Sequence, residues 1–190
     1  MIDVVLQTVA KELNEFFKLK FGIIDERVVI SNIINQDGSI AVKEENKIIL
    51  SLVLIQEEKL GAYKTSVPIS PGGVKPIAIN LFLLFSASFN EKLNIDALKF
   101  ISAVIAFFQS KPLFIEQNTS GLESGMEKLS FEIFNLSIQE QSNLWSTIGG
   151  KYLPSILYRV RLIKVDEGSL MPTSTEISGL DGIYMDKKNG

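Results

Sequence analysis

The 190-residue sequence contains neither cysteine nor histidine. Without cysteine there is no disulfide bond and no thiolate nucleophile, and without either residue the usual zinc sites are excluded. The missing histidine also removes the side chain that most often transfers protons near neutral pH. Carboxylates, lysine, tyrosine, serine and threonine remain, but they form no recognisable catalytic cluster along the chain. We therefore expect no catalytic residue, no metal site and no bound cofactor.

The sequence also lacks a strong charge of one sign and a long hydrophobic run. Its 19 basic and 22 acidic residues give a net charge of -3, so no global positive field attracts nucleic acid. No apolar stretch reaches the roughly 18 residues that a membrane span needs, and the N-terminus shows no secretory signal pattern. We expect no nucleic-acid partner, no direct membrane insertion, and assembly in the cytoplasm.

Two features that could bind a small molecule carry little weight. Glu44–Glu45 and Glu57–Glu58 are adjacent carboxylates whose side chains point in different directions, which favours a solvated surface over an acid–base pair. Pro71–Gly73 contains glycines, but neither Gly-Lys-Ser/Thr nor the start of a helix follows, so it does not match a phosphate-binding loop. We expect no small-molecule substrate.

The N-terminal part of the sequence predicts a helix followed by a hairpin. Apolar side chains recur on one helical face of residues 2–17, and Gly22 is a natural C-terminal stop. The apolar run Val28–Ile30 is separated by Asp37–Gly38 from a second run, Ile40–Val42. Because Asp-Gly favours tight hairpin turns, this arrangement predicts that the two runs pair.

The middle of the sequence predicts two strands, a long loop and a helix. Ile48–Ile55 reads as a buried strand, and the glycines and prolines of residues 57–76 predict a long loop. Ile77–Phe89 alternates as a long strand with one core face and one half-covered face. Asn94 is expected to cap a helix that runs to Gln109, whose apolar arc is wide enough to require a second neighbour.

The last third predicts a strand, a capped helix and a final strand. Alternation in Leu129–Ile133 shifts phase afterwards, which indicates a bulge or a strand end. Ser137 and Glu140 fit a capping box for a short helix that ends at Gly149. Ser155–Val165 reads as a strand with alternate apolar residues on one face and two arginines on the other.

These elements predict an α+β fold in which a mixed, largely antiparallel sheet packs against helices. Residues 1–166 form one domain, and the polar residues 167–190 are expected to form a flexible C-terminal arm. Trp145, the one tryptophan, is interpreted as a core anchor in preference to an interface residue. Arg159 and Arg161 are either solvated or in contact with a partner.

Five blocks of sequence, taken in order, carry a resemblance to a known family. They are Ile79–Ala87, Ala97–Gln109, Glu127–Leu129, Asn143–Trp145 and Gly150–Arg161. Together they resemble the N-terminal domain of the tail-terminator, or cap, family of contractile injection systems, which are phage-tail-like particles. The resemblance spans about residues 1–166, and its last block is the strongest single signature.

The resemblance implies a structural subunit with no catalytic residues. The family implies a ring, expected to be hexameric, that sits on the last layer of tube and sheath and ends their polymerisation. Lys151 and Tyr152 belong to the last block, and with Trp145, Arg159 and Arg161 they are the partner-interface candidates. Longer relatives carry an additional C-terminal domain that this sequence stops short of, and the particle is of a kind that can be released extracellularly.

Other interpretations stay open at this point. An adaptor or a baseplate component of the same apparatus would share the resemblance, and a small enzyme free of histidine and cysteine would require clustered, perturbed ionisable groups. The wide apolar arc of the 97–108 helix and the second face of the 77–89 strand offer surplus apolar surface. Copies of the chain in a ring would cover that surface, as would the arm or the long loop of the same chain.

Overall fold

The computed structural model describes residues 1–58, 78–122 and 126–164. The predicted loop lies outside the described residues from position 59 onward, and the predicted arm 167–190 lies outside them entirely. The described helices are α1 (Ile2–Phe21), α2 (Asn94–Ser110) and α3 (Ile138–Ile148). The described strands are β1 (Val28–Ile30), β2 (Lys47–Glu57), β3 (Ala78–Ser88), β4 (Leu113–Phe114), β5 (Met126–Ile133) and β6 (Ser155–Lys164).

The described strands form one six-stranded sheet in the order β1-β2-β3-β6-β5-β4. β1 runs parallel to β2, and every other neighbouring pair in this sheet is antiparallel. The predicted α+β class, with a mixed and largely antiparallel sheet, is therefore confirmed. Because successive side chains of a strand point to opposite faces, the sheet has a first face and a second face, and each packs against different elements.

The first face of the sheet is covered by α1 and α2, and α1 is the second neighbour that the wide apolar arc of α2 requires. The Phe16 and Phe107 ring centroids lie 5.2 Å apart, and those of Phe17 and Phe100 lie 5.1 Å apart. α1 ends as predicted at Gly22, which adopts the left-handed conformation that closes a helix. α1 therefore covers much of the α2 surface that the sequence marked as surplus.

The start of α2 differs from the prediction. Asn94 is the first residue of the helix and makes no capping bond, because a short 3₁₀ turn, Glu91–Leu93, precedes it. The side chain of Asn90 caps that turn by accepting a hydrogen bond from the backbone N–H of Lys92. The stretch Glu91–Ser110 has the length and composition of a membrane span, but the core helix of a globular domain meets the same criterion, and α2 packs in this core.

The second face of β3 is buried, which corrects the prediction that it is half covered. Phe82 is 5% and Leu84 is 1% exposed, and the Phe82 ring lies edge-on to Phe134 at 5.0 Å. Trp145 of α3 and Ile33 of the segment after β1 complete this smaller cluster. The second face of the sheet therefore has its own core, built from elements that are distant in sequence.

The predicted hairpin is wrong in its pairing but correct in its turn. Val28–Ile30 pairs in parallel with residues 48–50, while a single isolated bridge joins Ile34 to Ile40 around the turn. Gly38 in that turn has φ 82°, the left-handed conformation that Asp-Gly turns favour. The chain leaves the sheet after β1 because Ile33 packs into the core of the second face.

Three predictions in the last third of the chain are confirmed. β5 ends at Ile133, where the phase of the apolar residues shifts, and Phe134 then packs on the second face. The Ser137 side chain accepts a bond from Glu140 N–H, and the Glu140 carboxylate accepts a bond from Ser137 N–H, which completes the capping box. α3 ends at Gly149 in the left-handed conformation.

Candidate functional site

The predicted interface residues fall into two groups along the chain. Trp145 lies near the end of α3, and Lys151 and Tyr152 lie in the segment between α3 and β6. Arg159 and Arg161 lie on β6, and the nearer of them is four residues beyond the first residue of that strand. At about 3.4 Å per residue the arginines are more than 10 Å along the strand from its start, so the two groups are separate.

In the first group, Trp145 is 5% exposed and packs in the core of the second face, as the core-anchor interpretation expects. Its Nε1 is buried and has no hydrogen-bond partner among the described residues. Tyr152 is 59% exposed and packs edge-on against Trp145, with 5.5 Å between ring centroids. The buried tryptophan therefore supports an aromatic ring that faces solvent beside the exposed Lys151.

In the second group, each arginine is paired with a glutamate of the same subunit. Arg159 Nη2 donates to Glu132 Oε2 at 2.5 Å, and Glu132 lies directly opposite on the neighbouring strand β5. Arg161 donates through Nε and Nη2 to the two carboxylate oxygens of Glu58, which is the bidentate geometry specific to arginine. The hydrogen bonds from Arg161 lower the pKa of Glu58 below its ordinary value.

The glutamate partners were not recognised from the sequence. Glu58 was interpreted as a solvated acidic residue, whereas its side chain is 23% exposed and bonded to Arg161. These two residues are 103 positions apart, and no local pattern connects them. The sheet register is what joins them, because Glu58 follows β2 while Arg161 lies on β6, with β3 between the two strands.

The concave surfaces of the described residues are open grooves. One groove, of about 590 Å³, runs between α1 and β1 and is lined by side chains that include Lys11, Glu15 and Lys18. Another, of about 210 Å³, lies beside α3 and is lined mainly by apolar side chains and by Trp145. Within residues 1–58, 78–122 and 126–164, no three carboxylates lie close enough together to hold a metal ion. Several charged groups in these parts form ion pairs within the subunit, among them Lys111 with Glu12, Arg159 with Glu132 and Arg161 with Glu58.

Comparison with solved structures finds the same fold in two proteins of contractile injection systems. The first is the sheath/tube terminator of the extracellular contractile injection system PVC in its extended state, with a TM-score of 0.51 and 11% identity. The second is the tube-terminating cap of the anti-feeding prophage, AFP, with a TM-score of 0.53 and 15% identity. The match covers 94% of this chain in both cases, and 64% and 60% of the respective solved chains. This chain therefore spans less than two thirds of the length of either protein.

A search of curated proteins finds no match. A family model, described as the Pvc16 N-terminal domain, matches residues 4–177. That range includes every described helix and strand except the first two residues of α1, so the family assignment and the fold agree over the whole domain. The chain belongs to the Pvc16 N-terminal domain family.

Proposed function

We propose that this chain is a non-catalytic cap, or terminator, subunit that ends tube and sheath polymerisation in a contractile injection system. The observation that supports this most is the family match over residues 4–177, joined to a fold shared with a sheath/tube terminator and with a tube-terminating cap. In this proposal the subunit assembles in the cytoplasm, forms a hexameric ring, and becomes part of a particle that is released from the cell.

Termination follows from geometry in this proposal. A subunit that reproduces one interface of a polymer can join its end, and a subunit that lacks the opposite interface stops further addition. No bond-making step is required, so the function needs surfaces of the right shape and charge and no active site. The arginine–glutamate pairs on the second face fit such a role, because charge pairs at the rim of an interface set register and specificity.

Arg159 and Arg161 are the candidate contacts with tube or sheath, together with the exposed Lys151 and Tyr152. The side chains of Arg159 and Arg161 keep 41% and 34% of their surface exposed while paired, so they can accept a further partner. Trp145 acts indirectly in this proposal, because it is buried and holds the Tyr152 ring in place. Substituting Tyr152 by alanine should therefore weaken attachment to tubes without unfolding the domain.

The C-terminal residues 167–190 are proposed as an arm that reaches the sheath. An extended segment can add a strand to the exposed sheet edge of a neighbour, which binds through backbone hydrogen bonds and blocks that edge. Deleting 167–190 should weaken sheath attachment, measured by electron microscopy of purified particles. The matched control replaces the same residues by a Gly/Ser linker of equal length, and particles of normal length and stability after the deletion would refute the arm.

The decisive experiment for the function is electron microscopy of particles assembled without this gene. Tubes that are overlong or of unbounded length, and that return to uniform length when the gene is restored, are the expected result. Baseplates that are missing while tube ends remain normal would instead identify an adaptor or baseplate component. Particles of unchanged length and composition would contradict any role in this assembly.

A further inference from the structure

One lateral edge of the sheet is open along most of β2. β1 pairs with β2 only at residues 48–50, so Ser51–Glu57 has β3 on one side and no described strand on the other. The backbone N–H of Glu58 donates to the carbonyl of Ala78, on the β3 side. Because the backbone groups of successive residues alternate between the two sides of a strand, those of Ile55 and Glu57 point to the open side.

The same edge exposes aliphatic side chains on both faces of the sheet. Leu54 is 50% exposed and shares a row with Phe82 of the second face, while Ile55 is 51% exposed and shares a row with Leu81 of the first face. An extended segment that binds such an edge gains backbone hydrogen bonds and buries these side chains. An open groove of about 230 Å³ adjoins the edge, and its apolar lining includes Leu52, Val53, Leu144 and Ile148.

Charge changes along this edge. Residues 51–56 carry no charge, whereas Glu57 is exposed and forms no ion pair among the described residues. A segment that complements the edge is therefore apolar beside Leu54 and Ile55 and basic beside Glu57.

One stretch of the chain outside the described residues has this pattern. Residues 183–188 read Ile-Tyr-Met-Asp-Lys-Lys. Aligned in parallel with β2, they place Tyr184 and Met185 beside the two exposed aliphatic side chains and Lys187 beside Glu57. An antiparallel alignment of Ile183 and Tyr184 with the same aliphatic pair would set Asp181 beside Glu57, where two like charges repel. Charge therefore favours the parallel register.

The chain is long enough to reach this position from the end of β6. Glu57, Ile79 and Leu162 form one row across the sheet, and Lys164 lies two residues beyond that row. Leu54 lies three residues on the other side of the row, and the open side of β2 is three strand spacings from β6. At about 3.3 Å per residue and about 4.8 Å per strand, the separation is roughly 22 Å. The intervening residues 165–184 span roughly 66 Å when extended.

We propose that residues 183–188 pair with the open β2 edge of their own chain, in parallel with Val53–Glu58. The inference deepens the proposed function and rests on it for its consequence, which is regulation of the C-terminal arm. The arm cannot pair with its own edge and with a sheath edge at the same time. A sheath edge must therefore compete with the β2 edge, and until it does, both the arm and the edge are kept from pairing elsewhere.

The chain has no cysteine, so a disulfide can be placed across the proposed contact. The variant with both Leu54→Cys and Tyr184→Cys should form an intramolecular disulfide in dilute solution, followed by loss of free thiols and by intact mass. The matched control joins Tyr184→Cys to Leu113→Cys, a residue of β4 that is 43% exposed at the opposite lateral edge. The first variant should close at least roughly tenfold faster, because docking raises the effective concentration of one thiol at the other.

Each outcome of this test decides the matter. Faster closure at the β2 edge than at the opposite edge supports the contact. Equal rates would show that the segment has no preferred place on β2 and would overturn the proposal. Disulfide-linked dimers as the main product would assign the edge to the segment of a second copy, which overturns it as well.

A charge exchange tests the register. Introduced into the Leu54→Cys and Tyr184→Cys variant, either Glu57→Lys or Lys187→Glu should slow closure by roughly threefold or more, because each sets like charges side by side. The two substitutions together should restore most of the rate. Additive slowing would contradict the parallel pairing.

Hydrogen exchange provides a measurement without thiol variants. The N–H groups of Ile55 and Glu57 should exchange more slowly in the natural chain than in a variant whose residues 182–190 are replaced by a Gly/Ser linker of equal length. The N–H of Leu83, on a strand paired on both sides, is the control and should not change. Equal exchange at Ile55 and Glu57 in the two proteins, which is also the result if residues 59–77 cover the edge, would overturn the proposal.

The two proposals fail separately. Disulfide closure and hydrogen exchange are measured on the free subunit, so a negative result there leaves the cap function standing. Tubes of normal length without the gene would refute the cap function and leave the contact of the segment with β2 standing.

Discussion

Replacing Asn14 by alanine should lower the free energy of unfolding by about 2 kcal/mol. The Asn14 carboxamide joins the middle of α1 to the edge strand β1, where Oδ1 accepts from the backbone N–H groups of Arg27 and Val28, both at 2.8 Å. Nδ2 donates to the carbonyl of Val28 at 3.1 Å. The three hydrogen bonds together contribute about 3 kcal/mol, at about 1 kcal/mol each. The better helix propensity of alanine returns about 0.5 kcal/mol, and water that bonds to the freed backbone groups returns part of the remainder, which leaves about 2 kcal/mol.

The assay is urea unfolding followed by fluorescence, because the single Trp145 is buried and reports loss of the core. Asn14→Asp keeps the two accepted bonds and loses the donated one, so it should cost less than Asn14→Ala. Lys11→Ala, at an exposed position of the same helix, is the control and should stay within about 0.5 kcal/mol of the natural protein. An alanine variant as stable as that control would refute the view that Asn14 fastens α1 to the sheet.

Two further predictions concern ionisable groups. Burial raises the pKa of Tyr158 to about 12, and the Tyr158 hydroxyl has no hydrogen-bond partner among the described residues. Removing this hydroxyl in Tyr158→Phe should therefore leave the thermal stability of the domain unchanged or raise it slightly. Because the neutral phenol is favoured in the fold, stability should fall as pH rises above about 10, and Tyr158→Phe should reduce that fall; an unchanged alkaline profile would contradict this. Arg161 lowers the pKa of Glu58, so this pair stabilises the fold above about pH 4.5, and the contribution is lost as pH falls through the lowered pKa. Glu58→Gln should flatten this acid-side dependence in urea titrations at several pH values, and an undiminished slope would show that the pair contributes nothing.

The sequence predicted best the features that depend on neighbouring residues. The end of α1 at Gly22, the capping box of Ser137 with Glu140, and the alternation along β6 are all local patterns, and all are confirmed. Each requires only that residues within about four positions of each other have the right chemistry. The fold class followed from the order of such elements.

The predictions from sequence were wrong for contacts between segments that are distant along the chain. The second face of β3 was predicted to be half covered because the residues that cover it are distant in sequence. Ile33 precedes the strand by more than 40 residues, and Trp145 follows it by more than 50. The hairpin prediction for Val28–Ile30 assumed pairing with the next apolar run, whereas the parallel partner is β2. The Glu58–Arg161 pair was missed for the same reason.

Residue type and alternation marked Trp145, Arg159 and Arg161 as candidate interface residues, and the resemblance added Lys151 and Tyr152. The structure adds what these side chains touch. It separates a buried Trp145 from an exposed Tyr152, which periodicity did not distinguish. The broad faces of α2 and β3 are largely covered, whereas Leu54 and Leu113 at the two lateral edges of the sheet are about half-exposed. Edge positions depend on strand order, and strand order is not written in any local pattern.

The position of β6 has a consequence for biosynthesis. β6 is the last described strand along the chain, yet it lies between β3 and β5 in the sheet. Until residue 164 has left the ribosome, β3 and β5 have no partner between them, and neither core can close. The nascent polypeptide therefore completes both cores late in synthesis, when its last described strand becomes available.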